Sequence, residues 1–350
     1  MVGGETARDA AEPALNIPVL VAGMAIVVLA VADIFRTTLT MRGAGPVTGK
    51  LNAWLWNRLV SAHHRRANHR RLSQAGAMLL AWTGILWVLL LMLGWSLIFL
   101  AAGDAIVESA TNQPAGVAAR IYYAGFTLFT LGVGDYRAVT AGWQMATILC
   151  VGNGLLAVTL AITYIVPVLG AVAEKRRLAL LIASLGDTAE DIVLGAWPNG
   201  GIEALGRHLE ALAAPLMLQA ELQLAYPALQ HMHAIERRLS LTVQVAVLAD
   251  TLSILRYGLK PDARLHPLAL RPAVEGVRAI LRAMPHPVEE EDLPIPPPPD
   301  LARLRAAGVP VVDDAEFLEE LRSETTDRHL LLTLLRNDGR NWDDVLAPNH

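Results

Sequence analysis

The sequence predicts an all-α membrane protein with a helical cytoplasmic domain, and three observations carry that expectation. Gly76–Ala102 is a run of 27 residues without Asp, Glu, Lys or Arg, and Ala141–Ala173 is another of 33. About 20 apolar residues at 1.5 Å each cross a ~30 Å hydrocarbon core, so both runs are long enough to span a bilayer. After Lys175 the composition returns to that of a soluble protein. The averages join these halves: 53% hydrophobic and 18% charged residues, with a mean hydropathy of +0.39, against about 25% charged in an ordinary soluble domain. Such hydrophobicity excludes disorder, and a single cysteine excludes a disulfide scaffold. A net charge of −4 argues against a nucleic-acid binder that relies on bulk charge.

Residues 1–16 read as an extracellular leader. Its Glu5, Asp9 and Glu12 outnumber Arg8, where a cleavable signal would be basic. A first transmembrane helix is expected over 17–39. Asp33 and Arg36, three apart near its end, read as a pair snorkelling at the cytoplasmic interface. Residues 40–75 read as a basic cytoplasmic loop, with Arg42, Lys50, Arg58, Arg65, Arg66, Arg70 and Arg71 and no acid from Thr40 to Leu72. Lys175, Arg176 and Arg177 follow the last apolar run. Basic residues concentrate on the cytoplasmic side of spans, so the N-terminus is expected outside and the C-terminus in the cytoplasm. Topology alone accounts for the basic stretch His63–Arg71. Its expected partner is membrane lipid, with no nucleic acid, and Trp54 and Trp56 suit an interfacial helix.

Residues 76–173 form the central module. Between its two runs, Gly103–Thr140 is too apolar for an ordinary loop. A short helix is expected from about Ala115 to Phe129, followed by Thr130-Leu131-Gly132-Val133-Gly134-Asp135-Tyr136. Two glycines at i and i+2 suit an extended strand with unusual backbone angles rather than a helix. At membrane depth, non-helical backbone is tolerated only where it is buried in protein or lines a water-filled cavity.

The run Thr127-Leu-Phe-Thr130-Leu-Gly132-Val-Gly134-Asp135 resembles the filter signature of tetrameric potassium channels, T-x-x-T-x-G-x-G-D. The likeness covers about Met78 to Arg177 and is to the prokaryotic two-transmembrane pore-loop type, here with an extra N-terminal span. It implies a homotetramer with a pore module of outer helix, pore helix, filter and inner helix. Backbone carbonyls of Thr130, Leu131, Gly132 and Val133, with the Thr130 hydroxyl, would replace the hydration shell of K⁺. Gly134 completes the filter. Thr127, Tyr122 and Tyr123 would support it, and Asp135 would stand at the outer mouth and brace the strand. No cofactor is implied beyond K⁺ as the permeant ion. Two departures bear on selectivity: Val133 stands where the family usually has Tyr or Phe, and Phe126 where some relatives carry a Glu that pairs with the filter Asp.

In the inner span, Gly152 and Gly154 are a candidate gating hinge, with close helix packing the competing reading. Pro167 is a candidate bend, and Cys150 reads as a packing residue. No run carries Arg or Lys at every third position, so a voltage sensor is not supported.

A helical cytoplasmic domain is expected over 174–284. It has a helix start near Asp187–Glu190, a turn at Trp197–Gly201, and Ala/Leu helical spacing from Ile202 to about Leu259 with a break near Pro227. An acidic, Pro-rich linker covers 285–300, and a C-terminal helical segment 301–350, with its main helix near Asp314–Leu335. No G-x-G-x-x-G dinucleotide motif occurs, which leaves an unknown cytoplasmic regulator as the expected partner. His231 and His233, two apart, are placed on different sides of a helix, and no nucleophile–base grouping points to an enzyme. The expectation is a potassium-selective channel subunit in a cell membrane. The excess of Arg over Lys, 26 to 3, suits a GC-rich prokaryotic genome, and the membrane expected is then a prokaryotic inner membrane. A weakly selective cation channel and a non-conducting membrane sensor or scaffold are the alternatives.

Overall fold

The computed structural model describes residues 15–40, 44–197, 201–284 and 294–346. The acids of the leader, Arg42, the centre of the Trp197–Gly201 turn and the acidic run Glu289–Asp292 lie outside the described residues. Helices dominate, and three of them are long and apolar enough to cross a membrane: α1 (Ile17–Leu39), α3 (His69–Leu100) and α5 (Ala141–Ala183). Between them lie α2 (Pro46–Arg65), β1 (Ile106–Glu108), α4 (Val117–Leu128) and β2 (Tyr136–Ala138). The chain divides into two compact units, with α3 and α5 each contributing to both.

The first unit comprises 15–40, 44–49 and 81–165 among the described residues. α1 begins where the Asn16 side chain accepts from the Val19 N–H at 3.2 Å, satisfying one of the donors left over at a helix start. It packs on α3 at two glycines. A Cβ on Gly23 would lie 2.8 Å from the Gly94 carbonyl oxygen, and one on Gly94 would lie 2.7 Å from Val27. Only residues without side chains let the backbones approach this closely. The core gathers Ile34, Trp87, Leu91, Trp95, Phe99, Tyr123 and Phe126 from α1, α3 and α4, joined by Cys150 and Ala157 from α5. Cys150 packs there, its thiol 3.9 Å from the Ala124 carbonyl.

The expected Asp33–Arg36 pair does not form. Asp33 is fully buried, and its carboxylate accepts from the N–H groups of Val47 (2.7 Å) and Thr48 (3.1 Å) at the start of α2, from the Thr48 hydroxyl, and from the Trp87 indole (3.0 Å). A carboxylate at a helix N-terminus satisfies orphan amides and faces the positive end of the helix dipole, which a neighbouring arginine on its own helix does not match inside the protein.

The second unit comprises 50–80 and 166–346 among the described residues. It contains α6 (Ala189–Ala196), α7 (Ile202–Ala225), α8 (Leu241–Ser253), α9 (Pro267–Ala283), α10 (Leu301–Ala306), α11 (Asp314–Leu321), α12 (Thr325–Asn337) and α13 (Asp343–Leu346). α8 is buried along almost its whole length, and the other helices wrap its apolar surface into one core. α7 and α9 pack along each other, with Gly276 admitting the Leu216 side chain. The break foreseen near Pro227 is a 3₁₀ turn over Pro227–His231. Thr188, rather than Asp187, caps α6, accepting from the Asp191 N–H at 3.2 Å.

Three expectations are corrected here. Within the basic segment between the first two long apolar helices, residues 46–65 form the 20-residue α2 and 69–75 the first turns of α3, so the described part is mostly helical, and residues 50–80 belong to the second unit. Trp56 is only 5% exposed and donates its indole N–H to the Asn337 carbonyl at 3.0 Å, so this Trp is a core residue; Trp54, 53% exposed with Arg58 over its ring, keeps the outward position. His231 and His233 do not sit on opposite sides of an α-helix. They end a 3₁₀ turn and start the segment after it, and both are buried.

Candidate functional site

α4 is a 12-residue helix that starts after Gly116 and ends at Phe129. Its C-terminus closes in a Schellman pattern: the Leu131 N–H donates to the Phe126 carbonyl (2.8 Å) and the Thr130 N–H to the Thr127 carbonyl (3.0 Å). The residue at the left-handed position of that motif is Thr130, with φ of +59°, where glycine is the usual occupant. A β-branched residue is strained there, and such strain clusters at functional sites.

The handedness then alternates. Thr130, Gly132 and Gly134 have φ of +59°, +60° and +84°, while Leu131 and Val133 keep negative φ. Alternating left- and right-handed residues turn successive peptide N–H groups to one side of the strand and their carbonyls to the other. Phe129 through Asp135 are exposed in the protomer. Positive φ therefore recurs at every second residue of a segment that the chain itself leaves exposed.

The residues expected to support this segment divide. Thr127 is buried in the last turn of α4. Tyr123 is buried edge-on against Phe99, at 5.1 Å between ring centres, and its hydroxyl meets the Thr147 hydroxyl at 2.8 Å, which ties α4 to α5. Tyr122 is exposed, with edge contacts to Phe126 (5.2 Å) and Tyr136 (6.2 Å). The Asp135 carboxylate is exposed and makes no hydrogen bond or ion pair among the described residues. Gly152 is open on its side of α5, whereas a Cβ on Gly154 would overlap the Leu128 carbonyl oxygen. Gly154 thus lets α5 lie against the end of α4, and α5 runs as one helix through both glycines and Pro167. Thr159 and Thr163 are both exposed, the Thr163 hydroxyl bonding back to the Thr159 carbonyl at 2.8 Å.

Sequence reasoning missed two residues here. Thr147 carries no motif; only the facing Tyr123 gives it a role. Ser109 lies 25 residues before Gly134 and donates its hydroxyl to the Gly134 carbonyl at 2.6 Å. Nothing in the local pattern around Ser109 signals this contact.

No family model matches the chain, and no solved structure matches it. The uncharacterized membrane protein YdjJ of Bacillus subtilis (strain 168) is 32% identical over 335 residues, covering 94% of this chain and 96% of its own. The chain belongs to the YdjJ family. With three helices of spanning length and apolarity, this member of the YdjJ family is a mostly helical membrane protein. The likeness to YdjJ covers 94% of this chain and so runs through both of its units.

Proposed function

We propose that the chain is one subunit of a homotetrameric, potassium-selective channel, with Thr130, Leu131, Gly132 and Val133 lending carbonyls to the ion path. The observation that carries the reading is the alternating, exposed strand from Thr130 to Gly134, set between two helices long enough to span. An open carbonyl edge at membrane depth costs several kcal/mol per unsatisfied group unless it lines water or bonds an ion. One strand offers oxygens from a single side, and copies around an axis close the ring. The negative end of the α4 dipole favours a cation nearby. The basic residues before and at the start of α3, and those in the last turns of α5, favour an outside N-terminus and a cytoplasmic second unit in a prokaryotic inner membrane, with an unidentified regulator acting on that unit.

Val133 favours one second reading, a weakly selective cation channel. Its side chain is exposed and has no donor with which to hold the ring at a fixed size. Flux into liposomes loaded with purified protein separates the readings. Selective K⁺ or Rb⁺ uptake is expected, and Gly134→Ala should abolish it. Nothing in the protomer lies within 4 Å of the added methyl, and the substitution strains the backbone at a φ of +84°. Equal Na⁺ and K⁺ uptake would favour the weakly selective channel. No uptake from an intact tetramer, across conditions that open gates, would favour a sensor or scaffold.

A further inference from the structure

Asp135 leads directly into β2, which pairs antiparallel with β1 in the register Ile106↔Ala138, Val107↔Arg137, Glu108↔Tyr136. The ladder does not stop at Glu108. The Ser109 N–H donates to the Asp135 carbonyl at 2.8 Å, and the Ser109 hydroxyl reaches one residue further to the Gly134 carbonyl at 2.6 Å. A side chain thus continues a backbone ladder into the exposed strand.

The ribbon behind Ser109 is well fixed. Ile106 is fully buried and Val107 nearly so. The Ala115 N–H bonds the Ile106 carbonyl (2.9 Å), the Glu108 N–H bonds the Gln113 carbonyl (3.0 Å), and Arg137 donates to the Asn112 side chain (2.6 Å). The other end of the strand is held by the two bonds to the C-terminus of α4. Between these anchors the side chains are Leu131, Val133 and two glycines, none of which can donate a hydrogen bond. The peptide after Gly134 has no Cβ to resist rotation on its N-terminal side.

We propose that Ser109 is a positioning residue for ion selectivity: its hydroxyl holds the Gly134 peptide in place and so keeps the carbonyls of Thr130–Val133 aligned for K⁺ over Na⁺. This rests on the channel reading and adds to it a residue outside the filter motif. The device takes the Gly134 carbonyl away from the ions and spends it as the strand's outer anchor.

The test uses full-length protein in liposomes and measures the K⁺/Na⁺ permeability ratio, with assembly checked by size-exclusion chromatography and thermal melting. Ser109→Ala should lower the ratio by about threefold to tenfold, the scale of one lost hydrogen bond, while leaving the tetramer and its melting temperature in place. Ser109→Thr, which keeps the hydroxyl, should restore the ratio. If Ser109→Ala fails to assemble, Ser109→Cys supplies a near-isosteric but weaker donor and should give an intermediate ratio. An unchanged ratio in Ser109→Ala, or a wild-type ratio in Ser109→Cys, overturns the role of Ser109 and leaves the channel reading intact. A wild type that passes no ions, indifferent to Gly134→Ala, overturns both.

Discussion

The Trp87 indole donates to the Asp33 carboxylate at 3.0 Å, and through it α3 is tied to the start of α2 as well as to α1. One carboxylate thereby joins three helices in the first unit. Its four donors are the reason an acid is tolerated there at all, since a buried charge without partners is strongly unfavourable.

Asp33→Ala should therefore leave two α2 amides and the Thr48 hydroxyl without their acceptor, and Trp87 with only the Thr48 hydroxyl oxygen at 3.0 Å. The expected cost is about 2–4 kcal/mol, from hydrogen bonds to a charged group and their desolvated donors. Trp87→Phe should cost less, because Val47 and Thr48 still hold the carboxylate. Thermal melting in detergent checks both, and the double mutant should fall short of the sum, as neighbours in one network do. Strict additivity would mean that the two residues do not interact.

The two glycines of α5 should behave oppositely. Gly154→Ala puts a methyl onto the Leu128 carbonyl oxygen, forcing α5 from α4 at a cost of about 1–3 kcal/mol. Gly152→Ala meets open space in the protomer and gains about 1 kcal/mol of helix propensity. Melting temperatures of the two variants should bracket the wild type. A stable Gly154→Ala with altered open probability would instead give that glycine a hinge role.

Acid should loosen the second unit. Burial, aided by the nearby Lys175 charge, lowers His231 from 6.5 to about 4, and burial also lowers His63. Both gain protons on unfolding, so stability is full above about pH 6.5 and is lost as pH falls toward 4. For His231, a shift of that size corresponds to about 3 kcal/mol. Burial would raise the Asp338 carboxyl, but its hydrogen bond to His233 and the charge of Lys175 hold it below the ordinary value, and its contribution is lost at still lower pH. Asp250 works the other way: burial raises it to about 6 against the pull of Arg328, so it binds its proton earlier in the folded state and offsets part of the loss. His231→Phe removes one of these contributions while keeping a ring against Trp56. Its melting temperature should fall less than that of the wild type between pH 6.5 and 4.5. An equal fall would show that His231 titrates as freely when folded as when unfolded.

What could be read from the chain alone were the properties that reside in consecutive residues. The first span was legible as 17–39 and is α1, Ile17–Leu39; the short helix expected from about 115 to 129 is Val117–Leu128. Both follow from length, apolarity and glycine placement, which need no partner to be recognised. The T-x-x-T-x-G-x-G-D run was legible for the same reason, and its two glycines lie at positive φ.

Tertiary structure decided what each polar side chain does. Asp33 turned to α2 and Trp87, 14 to 54 residues away, instead of Arg36; Trp56 entered a core beside Asn337, 281 residues on. Lys175, read as one of the basic residues that set topology, points its ammonium at the Leu229 and Met232 carbonyls inside the second unit. Ser109 met Gly134 only because β1 and β2 pair. Hydrophobic runs declare a span because the bilayer acts on every residue alike. A hydrogen bond is satisfied by whichever partner the fold brings within about 3 Å, and distance along the chain carries no record of that.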